Sequence, residues 1–506
     1  MSLTRTLPLA LATLAVMIAW SASPTAAPEI PADAASVRHA LSRLTFGPRP
    51  GDVERIQQVG LERWLNDQLA PGSGDNAALK TRLAALETLN LDSSRIARDY
   101  IIPAREARRA RQQAAQPGAP STANPQADLP PEMRRPPAGP ATGQRQVIEE
   151  LATAKLLRAA YSDRQLEEVL VDFWFNHFNV FAGKGREPIF ITSYDRDTIR
   201  PRVLGRFRDL LGATAQSPAM LFYLDNWLST SPDASQALAR MRTRRPPGAQ
   251  AAPNAVRSAG LNENYGRELL ELHTLGVDGG YTQLDVVEVA RAFTGWTIDP
   301  RTQGFRFAPA LHDNGSKVVL GQRIAPNGGI SDGERVLDIL ASHPSTARHI
   351  ATKLARRFIS DTPPPALVER AARRFRDTDG DIREVVRTIV TSPEFFAADT
   401  VRAKVKTPFE FVVSAVRALD GDIRNARPLL RALQELGMPS YLCQPPTGYA
   451  DTADTWLSSG ALVSRMNLAL ELGSPNSRAL TVASLKDDAA RRQVALTLGS
   501  PEFQRR

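Results

Sequence analysis

The stretch LEEVLVDFWFNHF sets Leu166, Val169, Leu170, Phe173 and Trp174 at the i, i+3, i+4 spacing of a helix with a buried face. LDVVEVARAFTGW, TARHIATKLARRFI, ALVERAARRF, DIREVVRTIVTS and GALVSRMNLALEL repeat that spacing. Strands are scarce. KVVLGQRI, with its β-branched start, is the best candidate, and FRFAP is its expected partner. The chain is therefore expected to be mainly α: a large multi-helix body with at most a small β-hairpin.

Two stretches break the pattern. Residues 103–146 and 229–260 combine Pro, Gly, Ala, Gln and Arg with few large apolar side chains. Such segments bury too little surface to offset the entropy of ordering. They read as disordered inserts that divide the chain into an N-terminal helical part (35–102), a core part (147–228) and a C-terminal helical core (261–506). They also hold most of the net charge of +9, with seven Arg against three acids in the first and five against one in the second. The remainder is close to neutral and shows no basic stripe interleaved with aromatics, so nucleic acid is not an expected partner.

Residues 1–27 begin with Arg5, continue through an apolar run from Leu7 to Trp20 and end among small residues at Ala26 and Ala27, the pattern of a secretory signal peptide. The run is shorter than the ~20 residues of a transmembrane helix, and no later stretch is apolar for long enough. A soluble exported protein, periplasmic or secreted, is expected. Cys443 is the sole cysteine, which excludes an intrachain disulfide, a cysteine-based zinc site and c-type haem attachment. It reads as a buried, inert thiol.

Ser217, Ser392 and Ser500 each precede a proline, the arrangement of a helix N-cap with Pro at the first helical position. Asp377, Asp379 and Asp381 alternate as calcium ligands do, but Ile382 and Thr388 stand where the EF-hand pattern needs Gly and Glu. Asp381 with Glu384 is instead a capping box.

Polar chemistry concentrates in three places. Read as one α-helix, NENYGRELLELHTLG (262–276) puts Asn264, Glu268, Glu271 and Leu275 on one stripe beside apolar Tyr265, Leu269 and Leu272, with His273 at the apolar edge. Glu268 borders the buried side, where burial raises a carboxyl pKa toward acid–base work. Arg267 is placed to pair with Glu263 or Glu271. In DFWFNHFNVFAGKG, Asp172, Asn176 and Asn179 share a face, and Asn176 beside His177 in an aromatic helix demands polar partners. GWTIDPRTQGFRFAPALHDNG supplies Trp296 and the His312-Asp313-Asn314 loop.

The candidates are therefore Glu268, Glu271, His273 and Asp172 for catalysis, and Asn176, Asn264, Arg267, Trp296 and Asp313 for binding. His177, His273 and His312 are the candidate ligands of a zinc or iron ion. His39, His343 and His349 lie in plainer helical contexts. No H-E-x-x-H, E-x-x-H, P-loop or G-x-G-x-x-G pattern occurs, so no cofactor is identified.

VRHALSRLTFGPRPGDVERIQQVGLERWLNDQL, FWFNHFNV, NENYGRELLELHTLGVDGGYTQLDVVEVARAFTGW, HDNGSKVVLG and QPPTGYADTADTWLSSGALVSRMNLAL together resemble the bacterial family called domain of unknown function 1800, from about residue 35 to the end. The resemblance implies a mainly helical, commonly exported protein whose gene often neighbours that of an exported sulfatase-like family. It assigns no reaction and no catalytic residue. This chain has Pro445-Pro446-Thr447-Gly448-Tyr449 where the family more usually has a proline, asparagine, valine, lysine, glycine, tryptophan motif.

Two function classes follow. One is a cell-envelope accessory or partner-binding protein in which the 172–179 and 262–276 segments form a buried polar His/Glu/Asn cluster. The other is a hydrolase-type enzyme with Glu268 as acid or base. An open cavity at which these side chains converge favours chemistry; a sealed interior favours architecture.

Overall fold

A computed structural model describes residues 30–72, 75–114, 141–236, 260–474, 477–482 and 487–506. The 1–27 signal stretch lies outside them. The helices that position the sites are α1 (Ala34–Leu44), α2 (Ile102–Ala114), α3 (Ala141–Tyr161), α4 (Gln165–His177), α5 (Glu263–Glu268), α6 (Gln283–Ala292), α7 (Ile330–Ser342), α8 (Pro344–Phe358), α9 (Pro365–Asp377), α10 (Ile382–Val390), α11 (Pro408–Ala418) and α12 (Arg427–Glu435).

Two of these helices are buried nearly all round and so lie inside the body rather than on it. In α4 ten residues from Gln165 to His177 are buried. In α11 Phe409, Phe411, Val412, Val413, Ala415 and Val416 are all buried, behind a capping box of Thr407 with Glu410. Each large apolar side chain so buried contributes about 1.5–3 kcal/mol. Around them α8, α9 and α10 pack successively on one another. The β-branched α10 is held by burial of Ile382, Val385, Val386, Ile389 and Val390, not by intrinsic propensity. Asp381 caps it, accepting from Glu384 N at 3.2 Å. The return bond of the expected capping box is absent among the described residues, because Glu384 turns to Arg374 and Arg387.

The first expected insert is shorter than its composition implied. α2 and α3 enter it from both ends, since Ala, Arg and Gln are good helix formers, and 115–140 lie outside the described residues. Of the second, 237–259 lie outside them, whereas Ser229, Thr230 and Ser231 are buried. Ser229 O and Ser231 N there bond Gly295 N at 3.2 Å and Leu311 O at 2.9 Å.

The strand content of the described residues is three small antiparallel pairs. KVVLGQRI folds back on itself, β3 (Lys317–Val319) pairing with β4 (Gln322–Ile324), while FRF forms β2 (Phe305–Phe307) against β1 (Trp296–Ile298). The expected pairing of the two segments gives way because Leu320 and Gly321 both take positive φ, 48° and 75°, which closes a two-residue turn. Asp422–Ile423 with Leu480–Thr481 is the third pair. Of the three Ser-Pro sites, Ser217 caps a helix; Ser392 and Ser500 instead close single turns, each accepting from the N–H of a phenylalanine three residues on.

Candidate functional site

The predicted polar residues fall at four separate places. The first joins α4 to the segment before residue 450. Asp172 lies 2.5 Å from the Lys155 ammonium, which also sits over the rings of Phe409 and Tyr441. The Asn176 amide grips the Tyr449 backbone, donating to its carbonyl at 2.9 Å and accepting from its N–H at 2.8 Å. Asn179 donates to Cys443 O at 3.1 Å and Pro445 O at 2.8 Å. A side chain at Gly448, where φ is +73°, would put its Cβ 2.3 Å from Asn176 O. The polar face read from the sequence thus docks the 443–449 loop. Beside it lie two small cavities, of about 20 Å³ and 50 Å³, room for a few waters. Cys443 is buried, and burial pushes its thiol up to about 11.

The second place holds histidines. His177 Nε2 lies 3.1 Å from His273 O, and because a carbonyl only accepts, Nε2 carries the proton. His349, read from sequence as an ordinary helical residue, completes the group, its ring 6.1 Å from that of His177. Burial, with Lys353 nearby, lowers all three: His177 well below its ordinary value, His273 to about 3 and His349 to about 4. Burial thus favours the neutral form of all three.

The third place is the double hairpin. His312 Nε2 lies 3.1 Å from Asp332 Oδ2, and Nδ1 lies 2.8 Å from Thr294 O. Lys317 donates to Asp332 at 2.7 Å and to the carbonyls of Asp313 and Gly315 at 2.6 and 2.9 Å. Arg291 binds Asp313 through two bonds of 2.9 and 3.0 Å. Trp296 opens β1, fully buried. His312, Asp313 and Trp296 thus clasp the hairpins onto α6 and α7 and do not meet Glu268 or His177. The three candidate metal ligands do not share one point, and among the described residues no group of three or more His, Cys, Asp or Glu is placed to hold an ion.

The fourth place is the outer face of 262–276. The α-helix runs only to Glu268; Leu269–Leu275 form a π-turn, where Thr274 Oγ1 donates to Leu269 O at 2.7 Å. The wider turn carries Leu275 off the expected polar stripe and buries it with His273. Asn264 is exposed. Arg267 pairs with neither Glu263 nor Glu271; Gln283 on α6 bridges it to Glu263 at 2.8 Å on each side. Glu271 accepts from the Tyr281 hydroxyl at 2.6 Å. Glu268 is half-buried and has no hydrogen bond or ion pair among the described residues; burial, then Glu271, raises its carboxyl. That much of the expected environment is present, without a partner for the proton.

Sequence reading missed the largest buried charge cluster. Glu410, at the head of α11, contacts Arg357, and Arg506 Nε lies 3.0 Å from it. Burial alone would raise this carboxyl, but the two arginines hold it far below the usual range. Lys404 pairs with Asp361, and Arg43 is fully buried nearby, bonded to Thr400 O. These residues come from α1, α8, α11 and the chain's last residues, so no local spacing could reveal them.

A larger cavity lies elsewhere. A groove of about 940 Å³ runs between α2, α3 and α12, lined by Arg105, Arg145, Arg427 and Arg431 together with Ile148, Leu430 and Leu442. Arg427 is bound to Glu149, the one carboxylate among the described residues that line the groove.

No described helix is long and apolar enough to cross a membrane. Neither the curated proteins nor the solved structures yield a match. A family model described as protein of unknown function (DUF1800) matches residues 39–505, nearly the whole chain. The motifs that dock the loop, clasp the hairpins and build the histidine group all lie within that span, and the chain belongs to the DUF1800 family.

Proposed function

We propose that this chain is an exported accessory protein of the cell envelope that binds a partner through the arginine-lined groove between α2, α3 and α12. The observation that carries this reading is the contrast between the two kinds of cavity. Asp172 and Asn176 line small spaces of about 20 and 50 Å³, too small for more than a few waters, and their polar atoms are taken by this chain's own groups. Among the described residues, the open 940 Å³ groove has four arginines, one carboxylate and several apolar side chains, with no histidine and no pair of carboxylates. Such a surface suits capture of an acidic segment with an apolar anchor, not proton transfer.

The partner class is the exported sulfatase-like protein that the family resemblance implies as a genomic neighbour. Co-production of the two in an exporting host, followed by size-exclusion chromatography, is expected to give a complex that Arg105→Glu with Arg431→Glu dissolves. Equal elution of the charge-reversed variant would refute the groove as the interface. Export is checked separately: the mature protein's mass is expected to lack the first ~27 residues.

A further inference from the structure

A second cavity, of about 360 Å³, lies between α1 and the chain end, apart from the groove. Its inner wall is built where residues 504–506 run antiparallel to 404–406, with Lys406 N donating to Gln504 O and Arg506 N to Lys404 O, both at 2.9 Å. That pairing carries Lys406 into the interior, 8% exposed, with its ammonium 3.7 Å from the centre of the Phe503 ring. No carboxylate lies within 4 Å of this ammonium among the described residues. Glu410, the nearest acid to act on it, is already held by Arg357 and Arg506. Arg506 Nη1 and Arg43 Nε and Nη1, all buried, have no hydrogen-bond partner. At the rim Arg38, Arg402 and Arg505 are exposed and, among the described residues, their side chains have no hydrogen bond or ion pair, facing one acid, Glu502.

We propose that this cavity binds a small organic anion, its oxyanion group on the Lys406 ammonium and its apolar body against Phe503, Val401 and Ala418. A buried cation without a partner is costly, and a bound anion removes that cost where the protein supplies none. Burial, reinforced by Arg506 and Arg465, brings the lysine down to about 7 in spite of Glu410, as expected of a charge awaiting its counter-ion. The rim arginines add long-range attraction for an anion entering from solvent.

Phenyl phosphate is the probe, titrated calorimetrically into the full chain. Saturable binding is expected, at least tenfold weaker in Lys406→Met and unchanged in the exposed-site control Lys80→Met. Acetic anhydride labelling read by mass spectrometry supplies a measurement on the unmutated protein: saturating phenyl phosphate is expected to protect Lys406 and leave Lys80 reactive. Equal affinity in Lys406→Met, or Lys406 labelling unaffected by the probe, overturns the site. Inorganic phosphate is expected to bind more weakly than phenyl phosphate; equal affinity would overturn the role of the apolar wall.

Discussion

Lys317 and Lys406 are both carried into the interior, and their surroundings are opposite. Lys317, 1% exposed, finds an acceptor for each of its three protons: Asp332 and the carbonyls of Asp313 and Gly315. Lys406 faces an aromatic ring and a cavity, among Arg465 and Arg506. A buried ammonium whose donors are all accepted holds architecture together. One whose donors are not accepted points to something that arrives from outside.

The hardest test of this contrast is to orphan the satisfied lysine. Asp332→Ala removes the buried carboxylate that Lys317 and His312 share and is expected to destabilise the protein by about 3–5 kcal/mol in urea unfolding. A loss below about 1 kcal/mol would mean that the hairpin clasp is no more than incidental packing.

The unsatisfied lysine should instead report itself through pH. Its folded value of about 7 lies below the ordinary 10.5, so between these limits the unfolded chain holds a proton that the folded chain has shed. Stability therefore rises with pH from about 7 to 10.5. Lys406→Met is expected to remove that part of the rise, leaving the part due to Lys404, which burial brings to about 8. Identical pH profiles for the two proteins would contradict an uncompensated Lys406.

The two lysines also mark what could be read from sequence. Helical periodicity gave α4, α8, α9 and α10, because each buries a continuous face of its own residues. Asp172, Asn176 and Asn179 were legible as a polar face that required partners, though not as a clamp on residues 443–449, more than 260 positions away. Glu268 and His273 were placed by assuming 100° per residue, and the π-turn after Glu268 breaks that assumption. His349 and the Glu410–Arg506 cluster assemble from elements distant in sequence, which spacing cannot register.

Asn176 is the neutral counterpart of Lys317, with its amide spent on the Tyr449 backbone. Asn176→Ala leaves a partly buried N–H and C=O without partners and is expected to cost about 1–3 kcal/mol. Faster hydrogen exchange at the Tyr449 amide is the local readout. Unchanged exchange there would show that Gly448 and the loop's own packing hold the segment without the amide.

Glu268 sharpens the contrast from the other side. Like Lys406 it has no partner among the described residues, but it is only half-buried and water reaches its carboxylate. An unpaired charge is costly in proportion to how far it is removed from water, so the absence of a partner matters at Lys406 and hardly at Glu268. Glu268→Gln is accordingly expected to change unfolding stability by less than about 0.5 kcal/mol, the range of surface substitutions. It should also leave the groove complex intact, since Glu268 does not line the groove. A stability gain above about 1 kcal/mol would show a carboxylate held at a real energetic cost, the mark of a group kept for chemistry, and would return the 262–276 segment to the position of an active site.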